Sequence, residues 1–127
     1  MGYLLDTHTL LWYCENPDKL SSFAKEIVYD DNSQIYVSAA SLWEFAIKYS
    51  VGKLEFEGGF SRLCEIVKQA DFIVLPIMQP HIAAMIDLPF IHRDPFDRLL
   101  VAAAKADGLT ILTADENVQK YDVLSAW

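Results

Sequence analysis

DPFDRLLVAAAKADGLTILTAD, residues 94–115, contains a complete helix-to-strand unit and decides the fold. Asp94 before Pro95 reads as an N-cap with proline at the first helical position, where its missing N–H costs nothing. Apolar residues then recur at helical spacing as far as Asp107, and Gly108 supplies the stop. Leu109-Thr-Ile-Leu112 follows as a short apolar strand, and Asp115 comes after it beyond Thr113-Ala114. An uninterrupted apolar strand between helices belongs in a parallel sheet covered on both faces.

The same alternation extends in both directions. Tyr3-Leu-Leu5 is a strand ending at Asp6, residues 8–14 are helical, and Asn16-Pro17-Asp18 is a turn. Ser21 or Ser22 caps a helix to about residue 30, with Phe23, Ile27 and Val28 on its inner face. Residues 34–37 form the next strand, and Ser38 opens a helix that ends near Gly52. A helix over 60–70 places Phe60, Leu63, Cys64 and Val67 at helical spacing. A strand over 72–75, a short helix over 79–87, a helical turn over 116–120 and an edge strand in the tail VLSAW complete the pattern. The expectation is one α/β domain spanning residues 1–127: a three-layer α/β/α sandwich around a short, mainly parallel sheet of four to five strands. In open sheets of this kind ligands bind beyond the carboxyl ends of the strands.

The bulk composition narrows the function. With 127 residues, 53% of them hydrophobic and 22% charged, the chain is globular and of single-domain length. No apolar run approaches a membrane span, and the N-terminus lacks the basic region and cleavage site of a signal peptide, so a cytoplasmic location is expected. Cys14 and Cys64 have no metal-binding spacing and read as a reduced, buried pair. A net charge of −8 excludes a general nucleic-acid coat protein. It leaves room for an enzyme that meets phosphates through metal ions, and it suits a basic partner.

Acids stand at the strand exits and early helix turns: Asp6, Glu44, Asp97 and Asp115, each inside an otherwise apolar segment. Buried carboxylates are costly unless compensated. Two unit charges about 5 Å apart repel by roughly 3 kcal/mol at an effective dielectric near 20. If these four converge on one sheet edge, a divalent cation is the simplest compensation. Each also has a purely structural reading. Asp6 and Asp115 suit N-caps, while Glu44 has capping-box spacing from Ser41 and an i,i+4 partner in Lys48. Asp94 reads as a cap and Asp97 as the third residue of its helix, aimed over the sheet edge. Thr113 is placed to hold a carboxylate or a bound water, and Thr7 and Asp94 are further supporting groups.

His8, His81 and His92 have no metal-binding spacing. His8 and His92 flank the acids and, with Lys48 and Arg98, are candidates for contacting a substrate phosphate. A packed or surface histidine and a surface ion pair are the plain alternatives. Trp12, Trp43 and Tyr49 read as core residues rather than base-stacking platforms.

Taken in order, LLDTHTLLW, VSAASLWEFAIKYSVGKLE, HRDPFDRLLVAAA and LTILTAD resemble the PIN-domain ribonucleases, nearest to the VapC-type toxins of bacterial toxin–antitoxin modules. The resemblance covers essentially the whole chain. It implies a PIN-like fold and places the family's acidic quartet on Asp6, Glu44, Asp97 and Asp115, with Thr113 as the supporting hydroxyl. It also implies a Mg²⁺- or Mn²⁺-dependent endoribonuclease, a homodimer, and neutralisation by a cognate antitoxin. On this reading water attacks phosphorus in line and leaves a 5′-phosphate, with no histidine pair required.

Other classes fit less well. A receiver-type phospho-acceptor needs adjacent acids at the first strand and a late lysine. A haloacid-dehalogenase-type phosphatase needs Asp-x-Asp, where this chain has Asp6-Thr7-His8. An inactive PIN-fold binding partner keeps the fold without the chemistry.

Overall fold

The computed structural model describes residues 2–127. In chain order the elements are β1 (Gly2–Leu5), α1 (Thr7–Glu15), a 3-10 turn (Pro17–Lys19), α2 (Ser22–Val28), β2 (Gln34–Ser38), α3 (Ala39–Ser50) and α4 (Gly59–Gln69). There follow β3 (Ile73–Leu75), α5 (Gln79–Ile86), α6 (Pro95–Asp107), β4 (Thr110–Leu112), α7 (Glu116–Gln119) and β5 (Ser125–Ala126). The strands form one sheet in the order β3-β2-β1-β4-β5, and every pairing is parallel.

Strand periodicity divides the core in two. Successive side chains point to opposite faces, so Leu4 and Ile111 enter one cluster with Leu100, Val101 and Val118, from α6 and α7. Leu5 and Leu112 enter the other with Leu10, Ile27, Phe45 and Leu63, from α1 to α4. The sheet is therefore the middle of three layers, as expected.

Register fixes the edge that matters. Leu5 pairs with Val37 on one side and Leu112 on the other. The residues that follow, Asp6, Ser38 and Thr113, consequently emerge side by side. The strand order reverses between β1 and β4. The helix after β1 packs on the Leu5 face and the helix after β4 on the Leu4 face. A crevice opens where the two connections part.

Several expectations of burial are corrected. Phe23 and Phe60 are 45% and 42% exposed, because α2 buries the stripe Ala24, Ile27, Val28 and α4 buries Leu63 and Val67. Trp43 is 60% exposed and Tyr49 42%, since the inward stripe of α3 is Ala40, Ser41, Glu44 and Phe45. Trp12 is half-buried. Both cysteines are free, as expected, but half-buried rather than buried; burial still pushes the Cys14 thiol up to about 12.

Candidate active site

Asp6 is the hub of the crevice. It caps α1, with the Thr9 N–H donating to Oδ1 at 2.8 Å. Its other oxygen, Oδ2, accepts the hydroxyl of Thr113. Thr113 is fully buried, and its Oγ1 in turn accepts the Asp115 N–H at 3.0 Å. One hydroxyl thus joins the ends of β1 and β4. The Thr9 hydroxyl donates to the Leu112 carbonyl at 3.0 Å, closing the same seam from α1. Asp6 is 4% exposed, a burial that these donors make tolerable.

Asp115 caps α7 through the Asn117 N–H at 2.8 Å and stays half-buried. Glu116 faces solvent, as anticipated. Asp6, His8, Trp12, Ala114 and Asp115 line a cleft of about 250 Å³.

Asp97 arrives from α6. Asp94 is the N-cap, accepting from the Phe96 and Asp97 N–H groups at 2.9 and 3.2 Å, with Pro95 at the first helical position. The Asp97 carboxyl is pushed up to about 6, by burial first and then by the Asp94 carboxylate. A hydrogen bond from His92 opposes this, while Asp115 and Asp6 add to the rise. The acids of β1, α6 and α7 therefore share one electrostatic field. His92 Nε2 lies 3.2 Å from Asp97 Oδ2 and its Nδ1 2.8 Å from the Tyr121 hydroxyl. With Asp97 ionised, Nε2 carries the proton and Nδ1 accepts from Tyr121.

Glu44 lies in the second turn of α3, because Ser38 rather than Ser41 is the cap. It is 4% exposed, and both of its oxygens are engaged. Thr7 Oγ1 donates to Oε1 at 2.7 Å, and Lys48 Nζ donates to Oε2 at 2.5 Å. Ser41 supports Thr7 across 3.0 Å. That hydrogen bond to Glu44 holds the Lys48 ammonium above the ordinary lysine range, with Asp94 and Asp97 contributing.

The structure separates the four expected substrate contacts. His8 is exposed at the cleft, and Lys48 is half-exposed beside Glu44. His92 is committed to Asp97 and Tyr121. Arg98 does not fit the expectation of a phosphate contact, for it is buried at 6% exposure. Its guanidinium donates to the carbonyls of Pro89 at 2.8 Å and Leu88 at 3.4 Å and to the Tyr121 hydroxyl at 3.2 Å, stacked over the Phe90 ring. It pins the loop before α6. Residues 87–94, between α5 and α6, form no regular element and leave carbonyls for Arg98 to satisfy, a need invisible in the sequence. Tyr121 was missed for a similar reason: it stands in no motif and acts through His92 and Arg98, both distant in sequence. Ser41, read as a cap, instead supports Thr7.

Oxygen-only donors at one edge fit a hard cation such as Mg²⁺ or Mn²⁺. Among the described residues, however, no three acidic, histidine or cysteine groups already converge as a ready-made cage. Hydroxyls, a histidine and a lysine compensate the acids instead.

Comparison with known proteins agrees with this architecture. The PIN domain family model matches residues 3–124. No curated protein gives a significant match. Among solved structures, VapBC2 from Rickettsia felis, bound to a promoter DNA fragment, superposes with a TM-score of 0.76 at 17% identity, covering 99% of this chain and 98% of that one. VapBC-1 from nontypeable Haemophilus influenzae gives 0.72 at 15% identity, with 99% and 97% covered. FitAcB from Neisseria gonorrhoeae gives 0.62 at 22% identity, with 97% and 95% covered. Matched over nearly its whole length, the chain belongs to the PIN domain family.

Proposed function

We propose that this protein is a divalent-cation-dependent endoribonuclease acting as the toxin of a type II toxin–antitoxin pair. The observation that supports the reading is the pair Asp6 and Asp115, which line one cleft at the β1/β4 exits and are joined through Thr113. Asp97 lies near enough for both carboxylates to raise its pKa. Membership of the PIN family and the likeness to VapBC complexes support it.

Asp6, Asp97 and Asp115, with Glu44 beside them, would hold Mg²⁺ or Mn²⁺. When bound, the ion supplies Lewis acidity toward the phosphate and a more acidic water. The rest falls to the chain itself. Thr113 and the Thr9 N–H lock the Asp6 rotamer, and Thr7 does the same for Glu44. Asp94 orients Asp97 by fixing the first turn of α6. His92 holds the Asp97 carboxylate through Nε2. His8 stands at the mouth of the cleft, where an RNA phosphate would enter.

For the antitoxin, a groove of about 350 Å³ lined by Trp43, Ile77, Ile82, Met85, Phe96 and Leu99 supports an apolar partner segment. Trp43 adjoins Glu44 and Phe96 adjoins Asp97, so a covering chain there would end beside the acids. Homodimer assembly is carried over from the family resemblance, and a cytoplasmic location from the reading of the N-terminus and hydropathy. Among the described residues no helix is long and apolar enough to cross a membrane.

One observation favours a second reading. The Lys48–Glu44 pair, which already neutralises one of the four acids, suits an inactive PIN-fold binding partner. Sequencing RNA 5′ ends after induced expression separates the two. The nuclease reading expects new 5′-phosphate ends at a recurrent site, and an unchanged RNA population would remove it.

A further inference from the structure

Glu44 is buried, and both of its oxygens are satisfied by the chain's own Thr7 and Lys48. Its partner on Oε2 is a lysine one helical turn along, anchored at 2.5 Å yet with a side chain 44% exposed. That ammonium also feels Asp94 and Asp97. A surface ion pair contributes little, but here one partner is a buried carboxylate that needs a cation. A compact ammonium on a flexible stem meets that need and can still swing away.

We propose that Lys48 is the site's own counter-cation, occupying Glu44 in the metal-free protein and leaving it when a divalent ion binds. The inference rests on the metal-dependent reading above and adds a regulated step to it. Lys48 is then a positioning residue that sets the cation threshold, keeping the acidic edge folded when divalent ions are scarce.

The test is Mn²⁺ titration by calorimetry on the full chain. Lys48→Met should tighten Mn²⁺ binding about five- to tenfold, the equivalent of a modest ion-pair coupling. In a Glu44→Gln background the same substitution should give no gain, because there is no carboxylate left to release. An equal gain in both backgrounds would mean a general field effect and overturn the proposal, as would no gain at all. If Lys48→Met fails to fold, the unsubstituted protein suffices. Acylation of Lys48, followed by peptide mass spectrometry, should speed up on adding Mn²⁺, while exposed Lys53 keeps its rate. Saturable Mn²⁺ binding with unchanged Lys48 labelling sinks the counter-cation alone. No Mn²⁺ binding by any form sinks it together with the metal-dependent reading.

Discussion

The hydroxyl of Thr113 donates to Asp6 across 107 positions of sequence, joining the carboxyl ends of β1 and β4 inside a fully buried seam. Parallel register makes this bond available, since Leu5 and Leu112 are paired and the next residue of each strand is Asp6 or Thr113. A structural tie and a candidate catalytic acid thus share one oxygen.

Thr113→Val keeps the shape and removes the donor. The variant should lose about 1–3 kcal/mol, the cost of leaving a buried carboxylate oxygen short of a partner. Thr113→Ser should recover most of it. Urea denaturation reads both, and a Val variant as stable as the parent would show that the bond contributes nothing.

Asp97 gives a pH signature. Its carboxyl is pushed up to about 6, so the folded chain holds that proton more tightly than the unfolded one. The resulting stability is fully present below the ordinary carboxylate range and is lost as pH rises through about 6. Asp97→Asn should therefore stabilise the metal-free protein by about 1–3 kcal/mol at about pH 7.5, with little change at about pH 4. Thermal melts at the two pH values check this; a destabilised variant at the higher pH contradicts it.

Arg98→Met removes the donors that hold the Leu88 and Pro89 carbonyls and the Tyr121 hydroxyl. A loss of about 2–4 kcal/mol is expected, and Arg98→Lys should restore little, because an ammonium cannot reproduce the planar fork. Undiminished stability with weakened RNA binding would return Arg98 to the substrate.

His8 is exposed at the cleft, and among the described residues its ring makes no hydrogen bond. Replacement by Ala should change stability by less than about 0.5 kcal/mol and slow RNA cleavage about tenfold, the effect of one lost phosphate contact. Parallel melting and cleavage assays separate the two effects. Full cleavage by the variant removes His8 from the substrate path.

Much of the fold was legible because its punctuation is local. Asp94-Pro95 and Gly108 bracket α6 where expected, and short apolar runs located every strand. The acids at strand ends were legible for the same reason. What the sequence hid was orientation and pairing. Trp43 sits among apolar neighbours yet points outward, since helical phase is set by the Ala40–Glu44 stripe beneath it. The commitment of Arg98 to carbonyls, and of His92 to Tyr121, depends on which loops the sheet brings together. Lys48 looked ambiguous between substrate contact and ion pair; the structure puts it on Glu44.

The most direct measurement is cleavage of a defined single-stranded RNA by purified protein with Mn²⁺, with EDTA, and with the Asp97→Asn variant. Cleavage should occur with Mn²⁺, stop with EDTA, and be absent in the variant although it remains folded. A folded Asp97→Asn protein that cuts at the parental rate would contradict the account.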